Sequence, residues 1–115
     1  MKRTYQRGEM YYADLGRGVG SEQEGRRPVV IIQNDVGNKH SPTVIVLAIT
    51  SRFHKKRHLP THVPIESGDL SKDSIALAEQ VRTIDKSRLI HYVGRASRET
   101  MDFVDDALKV SMGVQ

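Results

Sequence analysis

The 115-residue chain contains no cysteine and no tryptophan. Without cysteine there is no disulfide, no thiolate nucleophile and no zinc-thiolate site, which agrees with a reducing compartment. No apolar run approaches the roughly 20 residues of a membrane-spanning helix. The basic start, Met1-Lys2-Arg3-Thr4-Tyr5-Gln6-Arg7, has no apolar stretch behind it and does not read as a signal peptide. The expectation is one cytoplasmic domain over 1–115 with no membrane partner. Nucleotide signatures are missing too. Gly16-Arg17-Gly18-Val19-Gly20 lacks the G-x-G-x-x-G spacing and leads to Pro28 and a strand, not a helix. No Gly-Lys-Ser/Thr follows it, and no hydrolase triad is visible.

A net charge of +4 leans weakly toward polyanions. Its distribution says more. Acids gather near the C-terminus (Glu99, Asp102, Asp105, Asp106), and bases at Arg26-Arg27 and in Arg52-Phe53-His54-Lys55-Lys56-Arg57-His58. His54, His58 and His62 recur every fourth residue, as metal ligands on a helix can. Pro60 and Pro64 break such a helix, and Lys55, Lys56 and Arg57 repel a cation, so phosphate contact is the better reading. Phe53 is the only aromatic in that segment, which argues against a purely stacking RNA-binding module.

Short strands are expected at Arg7–Leu15, Pro28–Gln33, Thr43–Thr50, Thr61–Ile65, Ser74–Ile84 and Leu89–Gly94. Four glycines between Gly16 and Gly25 read as a flexible flap, Asn34 to Asn38 as a turn, and Asp85 to Arg88 as a turn or short helix. Thr43–Thr50 is apolar almost throughout, as strands buried on both faces are. Pro64 assigns its strand to an edge. Strict alternation over Ser74–Ile84 sets Ile75, Leu77, Glu79, Val81 and Thr83 on an inner face, with Gln80 and Arg82 on the other. A buried Glu79 needs a partner, either Arg27 or an unrelated structural cation. The last element is a helix capped by Ser97. It has two apolar stripes: Met101, Val104, Leu108 and Met112, and Phe103, Ala107, Val110 and Val114. One suits the sheet and the other a partner subunit. The pattern predicts a mainly β fold, a small bent antiparallel sheet or barrel with a terminal helix.

The strand starting at Arg27 and the strand ending at Thr50 suggest a site where they are neighbours. RNA carries its own nucleophile, the 2′-hydroxyl. Cutting it requires loss of that proton, stabilisation of the phosphorane and a proton for the departing 5′-oxygen, and in principle no metal. A guanidinium matches two phosphate oxygens, and a threonine hydroxyl both donates and accepts. A guanidinium carries only donors and holds its charge, so Arg27 suits an electrostatic clamp and proton donor better than a base.

Several segments resemble the MazF family (PemK-like toxins, or mRNA interferases), above all its Gram-positive branch. They are Arg7-Gly8-Glu9-Met10-Tyr11-Tyr12-Ala13-Asp14-Leu15, Gly20-Ser21-Glu22-Gln23-Glu24-Gly25, Arg27-Pro28-Val29-Val30, Ala48-Ile49-Thr50, Leu59-Pro60-Thr61-His62-Val63 and Glu79-Gln80-Val81-Arg82-Thr83-Ile84-Asp85. The resemblance implies an SH3-like barrel with a C-terminal helix, assembled as a homodimer. It implies a metal-independent, ribosome-independent, sequence-specific endoribonuclease acting on single-stranded mRNA, with no cofactor. The products would be a 2′,3′-cyclic phosphate (or 3′-phosphate) and a 5′-hydroxyl, and a MazE-type antitoxin tail would occupy the RNA groove. The family's catalytic arginine and threonine fall on Arg27 and Thr50. Ser21, Gln23, Arg26, Arg52, Lys55, Lys56, Gln80, Arg82 and Thr83 would support the site or contact RNA. Gyrase-poisoning toxins share the fold without the nuclease site; Arg27, Thr50 and the Gly20-Ser21-Glu22-Gln23 segment favour the nuclease. The segment Phe53–His58 is more basic than the family leads one to expect, which bears on the RNA sequence recognised.

Overall fold

Valine and isoleucine dominate β2 (Arg26–Ile31) and β3 (Thr43–Thr50), where branched side chains pack well on a pleated surface. The computed structural model describes residues 4–51, 59–66, 70 and 73–115. With β1 (Glu9–Asp14), β4 (His62–Ile65), β5 (Ser74–Asp85) and β6 (Leu89–Arg95), these strands form one six-stranded sheet in the order β4-β5-β3-β2-β1-β6. Every pairing is antiparallel. The sheet curls into a half-barrel with β4 and β6 at its edges, and α2 (Arg98–Met112) completes the mainly β architecture. Pro64 sits on the edge strand β4, where a missing N–H does least harm.

Two cores flank the sheet. Met10, Val30, Leu47 and Ile49 meet Met101, Val104 and Ala107 of α2 on one face. Tyr11, Val29, Ile31, Val44, Val46 and Ala48 lie on the other. The unbroken apolar run of β3 therefore feeds alternate residues to two interiors. Ser97 caps α2 by accepting from the Thr100 amide at 3.1 Å, and Gly113 closes its other end. Arg7 joins three elements. Its amide donates to Asp35 Oδ1, its Nε to the Ile32 carbonyl, and its guanidinium pairs with Asp105 on α2. The outer stripe of α2 remains open: Phe103 and Val110 are each more than half exposed, while Val114, expected to continue the stripe, lies beyond the helix end at Gly113 and is exposed as well. Met112 also points outward, while Ala107 turns into the core. No helix among the described residues is long and apolar enough to cross a membrane.

Two local expectations need correction. Residues 34–38 are not a simple turn: Asn34 caps a short helix, α1 (Asp35–His40), by accepting from the Gly37 amide at 2.8 Å. The same side chain suits an Asx turn and an N-cap, so composition could not separate them. The strict alternation over Ser74–Ile84 also fails. Leu47 faces Val81 but Ile49 faces Ala76, so β5 advances five residues while β3 advances two. The irregularity resets the faces. Ala76, Ala78 and Val81 pack with the helix-side core, and Ile84 with the other.

Asn38 is 1 % exposed and satisfied on every side. Its amide donates to the Gln33 carbonyl (2.9 Å) and to Asp35 Oδ1 (3.1 Å), and its Oδ1 accepts from Gln33 Nε2 (3.1 Å). Replacing Asn38 by leucine strands these partners. Unfolding in urea is expected to show a loss of about 1–3 kcal/mol.

Candidate active site

The loop from Gly16 to Gly25 joins β1 to β2 across the end of the sheet. The Leu15 amide donates to the Gly25 carbonyl (2.9 Å), and the Gly25 amide to the Gly16 carbonyl (2.8 Å). Both glycines have positive φ (71° and 73°), which L side chains rarely adopt. Inside the loop, Glu24 and Glu22 accept from the amides of Gly18 and Val19. The flap expected from four glycines is instead tied to the sheet. Gln80 Nε2 donates to the Ser21 carbonyl (3.1 Å), and the Gln23 amide donates to Gln80 Oε1 (3.4 Å). Arg82 donates to the carbonyls of Gln23 and Leu15, both at 3.2 Å.

Arg27 continues this belt, with Nε donating to the Glu24 carbonyl at 3.0 Å. It lines a cleft of about 260 Å³ with Arg26, Pro28, Tyr12, Ile49 and Ser51; Leu70 and Ser74 complete the wall. Thr50, 9 % exposed, lies between Ile49 and Ser51. β2 and β3 pair Val29 with Ala48. The observed pairs end at Val29 and Ala48; continued two residues toward the start of β2, the register would bring Arg27 opposite Thr50 on the adjacent strand. Arg27 and Thr50, 23 positions apart in sequence, thus lie at the same end of adjacent antiparallel strands.

The other expected site residues divide. Arg26 is exposed at the cleft. Ser21 is exposed on the loop. Gln23 is part-buried, and its Oε1 is enclosed without a hydrogen-bond partner among the described residues. Gln80 and Arg82 lie beneath the loop, committed to its main chain. Thr83 is exposed and faces Ile45, five residues along β3 from Thr50, or about 17 Å, so it is not brought to the cleft. Arg52, Lys55 and Lys56 lie outside the described residues, as do His54 and His58. Sequence reading overlooked Tyr12, Ser51 and Ser74 at the cleft. Tyr12 faces Pro28 across β1 and β2, a pairing available only once the register is known.

Glu79 is another correction. It is exposed, not buried, and its partners are on the β4 edge and not Arg27. The Thr61 hydroxyl donates to Oε1 (2.8 Å), and His62 Nε2 contacts Oε2 (3.0 Å). The Leu59 amide donates to His62 Nδ1 (3.4 Å), so Nε2 carries the proton toward Glu79. Among the described residues Arg27 forms no ion pair with a carboxylate. Partial burial by itself would raise the Glu79 pKa, but hydrogen bonds from Thr61, its own backbone and His62 together hold the carboxyl below the usual glutamate value of 4.5. A depressed carboxylate stabilises the fold above its unfolded value and loses that effect as pH falls through the folded one. The urea midpoint of wild type should therefore exceed that of Glu79→Gln at pH 6, with the gap closing on acidification below 4.5. A gap independent of pH would contradict this account.

Sheet order, terminal helix, a basic cleft and a loop tied to the sheet agree with one family. The profile of the PemK-like, MazF-like toxins of type II toxin–antitoxin systems matches residues 6–112, and the chain belongs to that family. It is 51 % identical over 110 residues to the endoribonuclease EndoA of Bacillus subtilis (strain 168), covering 94 % of each chain. Among solved structures, a mycobacterial endoribonuclease in complex with its cognate antitoxin superposes with a TM-score of 0.79 at 27 % identity, over 96 % of this chain and 97 % of that one. MazF from Deinococcus radiodurans matches with a TM-score of 0.83 at 22 % identity, over 98 % and 100 %, a likeness of fold.

Proposed function

We propose that the chain is a sequence-specific endoribonuclease toxin that cuts single-stranded mRNA in the cytoplasm and so stops translation. The observation that supports this reading is the antiparallel pairing of β2 with β3, which puts the start of β2, with Arg27 in the cleft wall, at the same end of the sheet as Thr50, the last residue of β3. Half the sequence is shared with a relative named as an endoribonuclease, which supports the same activity here. In the reaction the RNA 2′-hydroxyl loses its proton and its oxygen bonds to the adjacent phosphorus. The bond to the 5′-oxygen breaks, and that oxygen takes up a proton. The products are a 2′,3′-cyclic phosphate and a 5′-hydroxyl, and no metal is needed to create the nucleophile. Arg27 clamps the non-bridging oxygens and stabilises their added charge, while the Thr50 hydroxyl holds the phosphate and relays a hydrogen bond. Gln80 and Arg82 hold the loop on the sheet, Arg26 lines the cleft, Ser21 and Gln23 on the adjoining loop support the site, and Arg52, Lys55 and Lys56 add phosphate contacts.

The chain works as a homodimer, with the open α2 face of Phe103 and Val110 a candidate seam, and is held inactive by a MazE-type antitoxin. The antitoxin bound to the mycobacterial neighbour supports such a partner. The test is incubation of the purified protein with a natural transcript in excess chelator. Discrete cuts ending in a 5′-hydroxyl are expected; intact RNA would overturn the reading and favour a protein-directed toxin on the same fold.

A further inference from the structure

Tyr12 and His91 form a cross-strand pair that the reaction above does not use. Tyr12 on β1 faces Pro28 on β2 in one direction and His91 on β6 in the other. The two rings lie 4.8 Å apart between centroids and are tilted by 35°. Tyr12 is partly buried against the helix-side core and lines the cleft with Arg27. His91 is exposed. The other close aromatic contacts differ: Tyr5, Tyr11 and Tyr92 meet edge-on, and Tyr11 is buried in the opposite core.

A phosphate at Arg27 carries a nucleoside on each side, and single-stranded RNA is recognised largely through unstacked bases placed on aromatic faces. Tyr12 pairs with Pro28, the neighbour of Arg27, and shares the cleft wall with Arg27, so an aromatic surface borders the same cleft as the guanidinium. We infer that Tyr12 and His91 make a stacking shelf for the base beside the gripped phosphate, and so help to set which RNA sequence is cut. This rests on the endoribonuclease reading. A cross-strand pair of purely structural value would also stabilise β1 against β6, but it would not affect substrate affinity.

The test uses the full chain and an oligoribonucleotide spanning its strongest mapped cut. Tyr12→Leu keeps apolar bulk against the core and removes the ring face. KM should rise about tenfold, with kcat falling less. Tyr12→Phe should stay within about twofold of wild type, and His91→Ala should raise KM about threefold. If Tyr12→Leu cuts with the wild-type KM, if it lowers kcat alone, or if Tyr12→Phe is as damaging, the shelf is overturned. Should Tyr12→Leu prove unfolded by circular dichroism, the exposed His91→Ala carries the test, and an unchanged KM overturns the inference. Wild-type protein that leaves the RNA intact would instead sink the nuclease reading itself.

Discussion

Arg27→Ala should lower the rate of RNA cleavage by about 10²–10³-fold. Binding of a non-cleavable 2′-O-methyl oligonucleotide should weaken by less than about tenfold, since one phosphate contact among several is lost. The asymmetry follows from the chemistry. A guanidinium gains most as negative charge accumulates on the phosphorane, so its removal destabilises the transition state more than the bound substrate. Arg27→Lys should restore only part of the rate, because a point charge cannot fork across two oxygens. Nε already donates to the Glu24 carbonyl, which orients the planar group toward the cleft. Equal losses in binding and cleavage would reduce Arg27 to an affinity contact.

Thr50→Val should reduce cleavage by about a hundredfold, with little change in thermal midpoint. Valine has nearly the shape of threonine, and the 9 % exposed site tolerates an apolar group. The substitution thus separates the hydroxyl from the packing. Thr50→Ser should retain most activity because it keeps the donor and acceptor. If Thr50→Val cut RNA at the wild-type rate, the hydroxyl would have no part in the reaction and the site would rest on Arg27 and its neighbours.

Local chemistry explains what could be read without coordinates. β3 announced itself through an unbroken apolar run, and its two-sided burial follows from the two cores it feeds. Pro64 marked an edge because proline lacks an N–H, and Ser97 marked the start of α2 because its hydroxyl can accept an amide. The reading failed where the answer lay in a partner strand. Counting twos along β5 turns Glu79 inward, but the mismatch opposite Leu47 and Ile49 breaks the count. α1 was missed because asparagine and aspartate serve turns and caps equally. At the cleft, Arg27 stands out as a charge at a strand start, and Thr50 as a hydroxyl at the end of the neighbouring strand. Tyr12 does not, since only pairing with Pro28 and His91 brings it there.

The bonds from Gln80, Arg82 and Arg27 to the loop all end on main-chain atoms. Such anchors are blind to side-chain identity. Positions 17, 19 and 21 can therefore be randomised while the covering segment keeps its path. Gly18 cannot join them, because a Cβ there would sit 2.8 Å from the Glu22 carbonyl. Sequence change at positions 17, 19 and 21 is thereby uncoupled from the stability of the segment.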